Sequence, residues 1–169
     1  EHTSKPYTNL PSNLVIPEKV FNNRKRYYVT EIDNYAFQGC ETIESVVIPN
    51  TVTTIGYCAF FGCEELLEID IPEGIKSIEE STFANCTSLA SITIPNSVMA
   101  IELGAFSNTA YYNDAKNWDK GVLYISNCLI EAKTSIAGDY NIKPDTRVIA
   151  DYALSGCSNL TSVTFPQSV

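Results

Sequence analysis

Cysteines are the residues of this sequence whose type and spacing most readily suggest chemistry. Cys40, Cys63 and Cys86 are evenly spaced, and Cys157 occupies the corresponding place further along the chain. Side chains that project in parallel from one column give poor disulfide geometry, and no pair of Cys-x₂₋₄-Cys motifs is present to bind zinc. We therefore expect inward-facing, reduced thiols in this column and no metal. Cys58 lies outside the column, and we expect it to be half-exposed.

Carboxylates and histidine, the usual acid–base catalysts, give no convincing catalytic site. Glu79 and Glu102 follow the same isoleucine column of neighbouring repeats, and such a pair could serve a glycosidase-like reaction or flank a cation. A solvated edge of the fold explains both residues, and we favour that interpretation. The only histidine, His2, lies at the terminus, so no nucleophile–base pair is available within the rest of the chain. The sequence predicts no catalytic residues, no metal and no cofactor.

The overall charge bears on the classes of partner. Eleven basic and twenty acidic residues give a net charge of −9 over 169 residues, whereas nucleic acids and anionic membranes attract a basic surface. The basic and aromatic run at 22–28 is therefore interpreted as a turn between two short strands. No apolar run approaches the roughly 20 residues of a membrane span. The chain begins at Glu1 without a visible signal peptide, so we expect a processed piece of a longer protein.

Internal repeats organise most of the chain, with a period of about 23 residues, which lies in the range typical of repeat architectures. The predicted repeats are 29–51, 52–74, 75–97, 98–145 and 146–168, preceded by an N-terminal segment, 1–28, that contains a degenerate capping repeat ending at Ile16-Pro17. Because Ile101 and its counterpart Ile149 are separated by slightly more than two periods, the fourth repeat carries an insertion slightly longer than one period. The shared columns include Ile32, Ile55, Ile78 and Ile101; Phe37, Phe60, Phe83 and Phe106; and Pro49, Pro72 and Pro95.

Each repeat predicts one coil of a solenoid, in which a unit contacts only its neighbours. Alternating apolar residues such as Ile69-x-Ile71, followed by proline, predict a short strand. Strands that recur once per coil pair in parallel. A second extended piece, such as 52–55, lies on another side of the coil, and the Ala-Phe-x-x-Cys stretch predicts one or two turns of partly 3₁₀ helix. The fold class is thus a mostly β solenoid with little helix.

The insertion concentrates aromatic residues. Tyr111, Tyr112 and Trp118, the only tryptophan, lie close together in sequence. Residues 121–125 and 128–132 predict a β-hairpin with the two-residue turn 126–127. These aromatic residues either pack a small core under the hairpin or form an exposed contact patch, since Tyr and Trp are enriched at interfaces. We take Tyr111, Tyr112 and Trp118 as candidate binding residues.

Outward-facing strand positions predict a second candidate surface. One row joins Ser45, Glu68 and Ser91 and continues to 139 and 162, and the next contains Asp70 and Thr93 and continues to 141 and 164. Short polar side chains in rows make a flat face that orders at low entropic cost. Such a face suits binding, although solubility alone would also explain it.

The pattern I-x-x-x-A-F-x-x-C-x-x-L-x-x-I-x-I-P occurs at 55–72 and, with Thr82 at the alanine position, at 78–95. This pattern, repeated over 29–169, resembles the BspA-like leucine-rich repeat family. The resemblance implies a right-handed leucine-rich-repeat stack. It also implies a bacterial protein that is secreted or attached to the cell surface, its signal peptide removed, and that adheres to host matrix or other cell-surface proteins.

Two functions from different classes remain open. The first is a non-enzymatic binding, adhesion or scaffold module that makes protein–protein contacts. The second is an accessory module of a carbohydrate-active or peptidase-containing surface protein, which would bind a glycan. Repeat folds host many partners, so the fold alone does not choose between them.

Overall fold

A computed structural model describes residues 10–169 of the chain, and His2 lies outside this range. The strands are β1 (Asn13–Val15), β2 (Lys19–Asn22), β3 (Lys25–Tyr28), β4 (Glu31–Ile32), β5 (Ser45–Val47), β6 (Thr54–Ile55), β7 (Glu68–Asp70), β8 (Ser77–Ile78), β9 (Ser91–Thr93), β10 (Ala100–Ile101), β11 (Trp118–Asp119), β12 (Val122–Ile125), β13 (Cys128–Ala132), β14 (Gly138–Asn141), β15 (Val148–Ile149) and β16 (Leu160–Thr164). The helices are α1 (Ala110–Asn113) and a 3₁₀ helix (Ala115–Asn117).

Two strand ladders run along the solenoid, as the repeat predicts. The strands β1, β5, β7 and β9 form a parallel sheet with one strand per coil, in which Glu68 pairs with Ser45 on one side and Ser91 on the other. Within each strand the middle side chain points inward, and Ile69 is buried. The second ladder contains the isoleucine column, with β4 paired to β6 and β8 paired to β10.

The Ala-Phe-x-x-Cys stretch forms consecutive turns, so the prediction of a short helical segment there is wrong. Successive backbone amides alternate between an acceptor in their own coil and one in the next coil. Gln38 N donates to Tyr35 O within the coil, whereas Phe37 N donates to Ala59 O of the next coil at 2.7 Å. Every second amide is thus taken by a neighbouring coil, which prevents a continuous helical ladder. The turn requires a left-handed residue two positions beyond the phenylalanine, and glycine or asparagine meets this need. These residues are Gly39, Gly62, Asn85, Asn108 and Gly156.

Stacked phenylalanines form the centre of the core. Phe60 and Phe83 are fully buried, their ring centroids lie 5.5 Å apart, and the ring planes differ by only 7°. The column extends in the same way to Phe37 and Phe106. Leu66 and Leu89 are also fully buried beside it. The predicted inward columns are therefore confirmed across the regular coils.

The cysteine column also faces inward and satisfies backbone carbonyls. Cys63 Sγ donates to Phe37 O at 3.2 Å, and Cys86 Sγ donates to Phe60 O at 3.1 Å. Each thiol thereby ties its coil to the preceding one. Cys58 is buried, with 5% of its surface exposed, so the expectation that it is half-exposed is wrong. Its column neighbour Tyr35 is exposed, although both residues adopt a left-handed backbone, with φ angles of 51° and 60°.

The N-terminal segment combines a partial coil with a hairpin. The strand β1 extends the strand sheet by pairing with β5. The strands β2 and β3 pair antiparallel around Asn23 and Arg24, whose φ angles are 49° and 64°. Two left-handed residues in a two-residue loop match the twist of a hairpin. Within the run at 22–28, only Asn23 and Arg24 form the turn, because Asn22 ends β2 and the remaining residues form β3.

The predicted hairpin at 121–132 is present, but it does more than interrupt the stack. Its strands β12 and β13 pair antiparallel, and β13 also pairs in parallel with β15, with Leu129 opposite Ile149. Further along, β14 pairs in parallel with β16. Residues 98–145 therefore build two coils, 98–127 (coil 4) and 128–145 (coil 5), before 146–168 (coil 6). The apparent insertion in the fourth repeat therefore continues the stack as a further coil.

Candidate functional site

The strand face, which we define as Ser45, Glu68, Asp70, Ser91 and Thr93, lies on the outer side of the parallel sheet. Four of these residues are exposed, and Ser45 is half-buried because its hydroxyl donates to Asn13 Oδ1 at 2.7 Å. In-register pairing places Glu68 against Ser91, and Asp70 against Thr93. The predicted rows therefore come together as one polar surface.

The rows continue on a separate sheet. Asp139 pairs with Ser162 in β14 and β16, in the predicted register, but these strands are not joined to β9. Thr161 and Ser162 both donate to Asp139 Oδ1 at 2.7 Å, and these hydrogen bonds lower the pKa of Asp139. The hairpin lies between the two sheets, since Ser126 Oγ at its tip accepts from Ile94 N just beyond β9.

The aromatic candidates lie beside the hairpin and are partly buried. Trp118 Nε1 donates to Tyr112 O at 2.6 Å, and the two rings meet edge to face at 5.2 Å. Lys133 Nζ lies 4.8 Å from the centre of the Trp118 ring. Tyr111 N donates to Leu89 O, which brings Tyr111 next to the start of β9. The structure thus groups Tyr112 with Trp118 and joins Tyr111 to the edge of the strand face.

Hydroxyl groups of this cluster anchor the hairpin. Tyr111 Oη donates to Tyr124 O at 3.0 Å, and Tyr112 Oη donates to Glu131 Oε1 at 2.9 Å. Burial, together with the bond to Glu131, raises the pKa of Tyr112 to about 12. Burial also raises the pKa of Tyr111. The tertiary contacts of these rings are those of a packed satellite core, the first of the two interpretations that the sequence left open.

A groove of about 690 Å³ opens beside this cluster. Its walls are 101–107 of coil 4, 130–135 of coil 5 and 150–155 of coil 6, with Tyr112 at one end. Ala132 occupies the position that is phenylalanine in the regular coils, since its amide donates to Ala153 O as Phe83 N does to Ala105 O. The smaller side chain leaves space for the groove. Sequence reasoning missed this groove, although an insertion close to one repeat length was a signal that an extra, shorter coil was present.

The candidate acidic pair is engaged within the fold. Glu79 accepts from Ser77 Oγ at 2.5 Å, and Glu102 Oε2 accepts from the Glu80 amide at 3.0 Å. Among residues 10–169, no group of three or more His, Cys, Asp or Glu side chains could hold a metal ion.

Comparison with known families identifies the repeat. Residues 18–137 and 131–169 match the family described as "BspA type Leucine rich repeat region", in six copies. The chain belongs to the BspA-type leucine-rich repeat family. Six copies agree with the division of 98–145 into two coils. No curated protein matches the chain.

Solved structures share this BspA-type fold. A leucine-rich repeat protein from Bacteroides ovatus is 30% identical, with a TM-score of 0.60 over 92% of this chain and 34% of that chain. A leucine-rich repeat protein from T. pallidum is 22% identical, with a TM-score of 0.55 over 96% of this chain and 73% of that chain. The pneumococcal vaccine antigen PcpA is 14% identical, with a TM-score of 0.50 over 94% and 62%. The chain therefore spans about a third of the Bacteroides ovatus protein.

The BspA-type coils leave little room for long helices. The longer of the two helices between residues 10 and 169, α1, has four residues, and none within that range is long and apolar enough to cross a membrane.

Proposed function

We propose that this chain is a non-enzymatic binding module of an extracellular or surface-attached bacterial protein, and that it makes protein–protein contacts, with host matrix proteins as one class of partner. Its BspA-type repeats support this proposal, since the family resemblance implies surface proteins with adhesive roles. The single observation that carries the proposal is the strand face, an exposed and in-register sheet surface spanning three coils.

The geometry of the strand face favours a macromolecular partner over a small molecule. Parallel strands hold the side chains in register at one strand spacing, and short side chains lose little rotamer entropy when a partner covers them. Glu68 and Asp70 place two carboxylates on adjacent outward positions of β7. Small-molecule sites are concave, and none of the five strand-face residues lines the groove beside the hairpin.

The aromatic residues extend this proposal at the edge of the strand face. Tyr111 is bonded to the coil that carries Ser91, through Leu89 O. A partner that covers the strand face from the end that carries Ser91 would therefore also touch Tyr111, with Tyr112 and Trp118 beside it. Aromatic residues of this kind often contribute most of the binding energy of an interface.

The test is a binding measurement with defined probes. The purified chain is titrated against immobilised fibronectin, fibrinogen and laminin, and in parallel against a glycan array. Saturable binding to at least one matrix protein is expected. Binding to glycans alone would replace the proposal with the accessory-module alternative, and binding to neither class would overturn it.

A charge-matched pair of variants locates the contact. Glu68→Lys with Asp70→Lys reverses two charges on the strand face, and we expect at least a tenfold loss of affinity. Glu64→Lys with Glu65→Lys makes the same change of net charge at exposed positions of the same coil but off the strand face. An equal loss for both variants would point to non-specific electrostatics and would contradict the proposal.

A further inference from the structure

The hydrogen-bond ladder of the Ala-Phe stretches is interrupted at one place along the solenoid. In the three coils between 29 and 97, the phenylalanine amide donates to the next coil, as Phe60 N does to Thr82 O at 2.9 Å. In coil 4, Gly104 and Phe106 occupy the equivalent donor positions. Within residues 10–169, neither of these two amides has a hydrogen-bond acceptor. Both residues line the groove described above.

The opposite wall of the groove presents acceptors. By the register of the regular coils, the carbonyls of Asp151 and Ala153 face the preceding coil. Ala153 O is taken by Ala132 N at 2.7 Å, whereas no described donor reaches Asp151 O. Coil 4 and coil 6 meet at one end of the groove, where Asp151 N donates to Ile101 O at 2.9 Å. A backbone that enters the open part beyond this bond would meet donors on one side and an acceptor on the other.

The charge of the groove points to a basic ligand. Three carboxylates line it, from Glu102, Glu131 and Asp151, against the single cation of Lys133. The Lys133 ammonium lies over the Trp118 ring, at the hairpin. The aromatic ring of Tyr152, 70% exposed, adds a face on which a cation can rest.

We propose that this groove binds an extended segment of a partner polypeptide that carries an arginine or lysine. The segment completes the interrupted ladder by accepting from the Gly104 and Phe106 amides and donating to Asp151 O. Its basic side chain pairs with the carboxylates of Glu131 and Asp151.

Addition of an extended peptide to unpaired backbone groups is a recurring recognition mode, with affinity from the main chain and selectivity from the side chains. The volume of about 690 Å³ lies within the range of ligand pockets, 300–1,000 Å³ in order of magnitude. The inference deepens the proposed function, since it names a kind of protein partner, but it uses a surface separate from the strand face.

Defined peptides test the groove directly. The probe is a fluorescent acetyl-Val-Arg-Val-Arg-Val amide, titrated by anisotropy in low salt. We expect saturable binding, at least tenfold weaker binding of the counterpart with Glu in place of Arg, and a similar loss when alternate backbone nitrogens are methylated. No saturable binding, or equal affinity for the three peptides, would overturn the inference.

Variants separate the groove from general acidity. Ala132→Phe fills the groove with the side chain that the regular coils carry there, and Glu131→Gln with Asp151→Asn removes two carboxylates while keeping their shape. Each is expected to weaken binding of the arginine peptide at least tenfold. The matched control, Glu41→Gln with Asp145→Asn, makes the same charge change at exposed positions elsewhere and should leave affinity unchanged. A loss as large in the control would overturn the inference.

Two further variants keep the outcome interpretable. If circular dichroism shows that Ala132→Phe is unfolded, Asp151→Lys replaces it. Asp151 is exposed, so reversing its charge needs no repacking of the core. Unchanged affinity of Asp151→Lys for the arginine peptide would count against the groove. Glu68→Lys with Asp70→Lys is expected to retain peptide binding. Unchanged matrix-protein binding in that variant would count against the strand face alone, and unchanged peptide binding in Asp151→Lys would count against the groove alone, so the two proposals fail separately.

Discussion

The regular coils, 29–109, and the irregular segment, 110–145, continue the same solenoid by different means. In the regular coils each side chain repeats the contact of its column neighbour, and phenylalanine rings stack at 5.2–5.6 Å. In the irregular segment the phenylalanine stack ends, although Asp139 keeps the outward row in register with Ser162. Hydrogen bonds from side chains fix the path of the backbone there instead. Trp118 Nε1 donates to Tyr112 O, and the hydroxyls of Tyr124 and Tyr140 bond to each other at 2.9 Å.

This difference shows how a repeat protein can accommodate a binding groove. Periodic columns fill the space between coils completely, because each unit packs on an identical neighbour. Coil 5 is shorter and carries Ala132 in the phenylalanine column, so the space next to it remains open as the groove. Functional sites are often carried by irregular segments on a rigid scaffold. The regular coils are such a scaffold on one side of the groove.

The largest expected effect is on the phenylalanine stack. Phe60→Ala and Phe83→Ala each remove a fully buried ring, and each should lower the free energy of unfolding by about 3–5 kcal/mol. Thr93→Ala, on the exposed strand face, should change it by no more than about 0.5 kcal/mol. Denaturant melts measure all three. Similar losses in the three variants would mean that the inside and outside of the coils are wrongly assigned.

A smaller loss of stability is expected in the irregular segment. Trp118→Ala removes a half-buried ring and the hydrogen bond to Tyr112 O, and should lower the free energy of unfolding by about 1–3 kcal/mol. Trp118→Phe keeps a ring there but not the bond, so its loss should be about 1 kcal/mol. A loss as large as that of Phe83→Ala would show that the two regions are equally dependent on aromatic packing.

The same Trp118 variant tests the aromatic contact hypothesis. If Tyr111, Tyr112 and Trp118 contact a partner, Trp118→Ala should weaken binding by more than about 1 kcal/mol under conditions in which the variant is folded. The measurement is a binding titration against whichever matrix protein the chain binds. A destabilised variant with full affinity would leave these residues with an anchoring role only.

Alkaline pH should reveal the bond between Tyr112 and Glu131. The pKa of Tyr112 is raised to about 12 in the folded chain, above the ordinary value of about 10. The protonated hydroxyl therefore contributes stability that is present below pH 10 and is lost as the pH rises towards 12. Tyr112→Phe should lower stability at pH 8 by about 0.5–1.5 kcal/mol and flatten the fall between pH 10 and 12.

A matched variant controls this measurement. Tyr28→Phe changes an exposed tyrosine of the N-terminal hairpin, away from Tyr112, and we expect it to flatten the fall in stability less than Tyr112→Phe does. Equal flattening in both variants would show that the alkaline loss of stability does not arise from Tyr112. Stability is measured by urea melts at each pH.

The smallest effect is expected from reductant, which should leave the melting midpoint unchanged. The cysteine column donates to backbone carbonyls, and burial raises the pKa of Cys128 to about 11, so thiolates form with difficulty in the folded chain. After unfolding without reductant, titration should count six reactive thiols. Fewer than four, with cross-links mapped within the column Cys40, Cys63, Cys86 and Cys157, would show that column geometry permits disulfides.

The sequence alone determined most of the regular coils and the strand face. Each column residue contacts its own counterpart one period away. The constant spacing of the repeat therefore predicts both the local strand and the distant strand that pairs with it. The inward isoleucines and phenylalanines and the outward rows at Ser45, Glu68 and Ser91 follow from period-two alternation. The hairpin at 121–132 was also predictable, because its two strands and its turn are adjacent in sequence.

Only the tertiary structure decided the path of residues 98–145 and the environment of Cys58. Leu129 meets Ile149, and Tyr112 meets Glu131 and Trp118, through contacts that no repeat column encodes. Because β13 pairs with both β12 and β15, the apparent insertion forms a further coil. The small side chain of Ala132 in that coil leaves the groove open. Such contacts depend on how much space neighbouring coils leave, which is a property of the packed stack rather than of any segment within it.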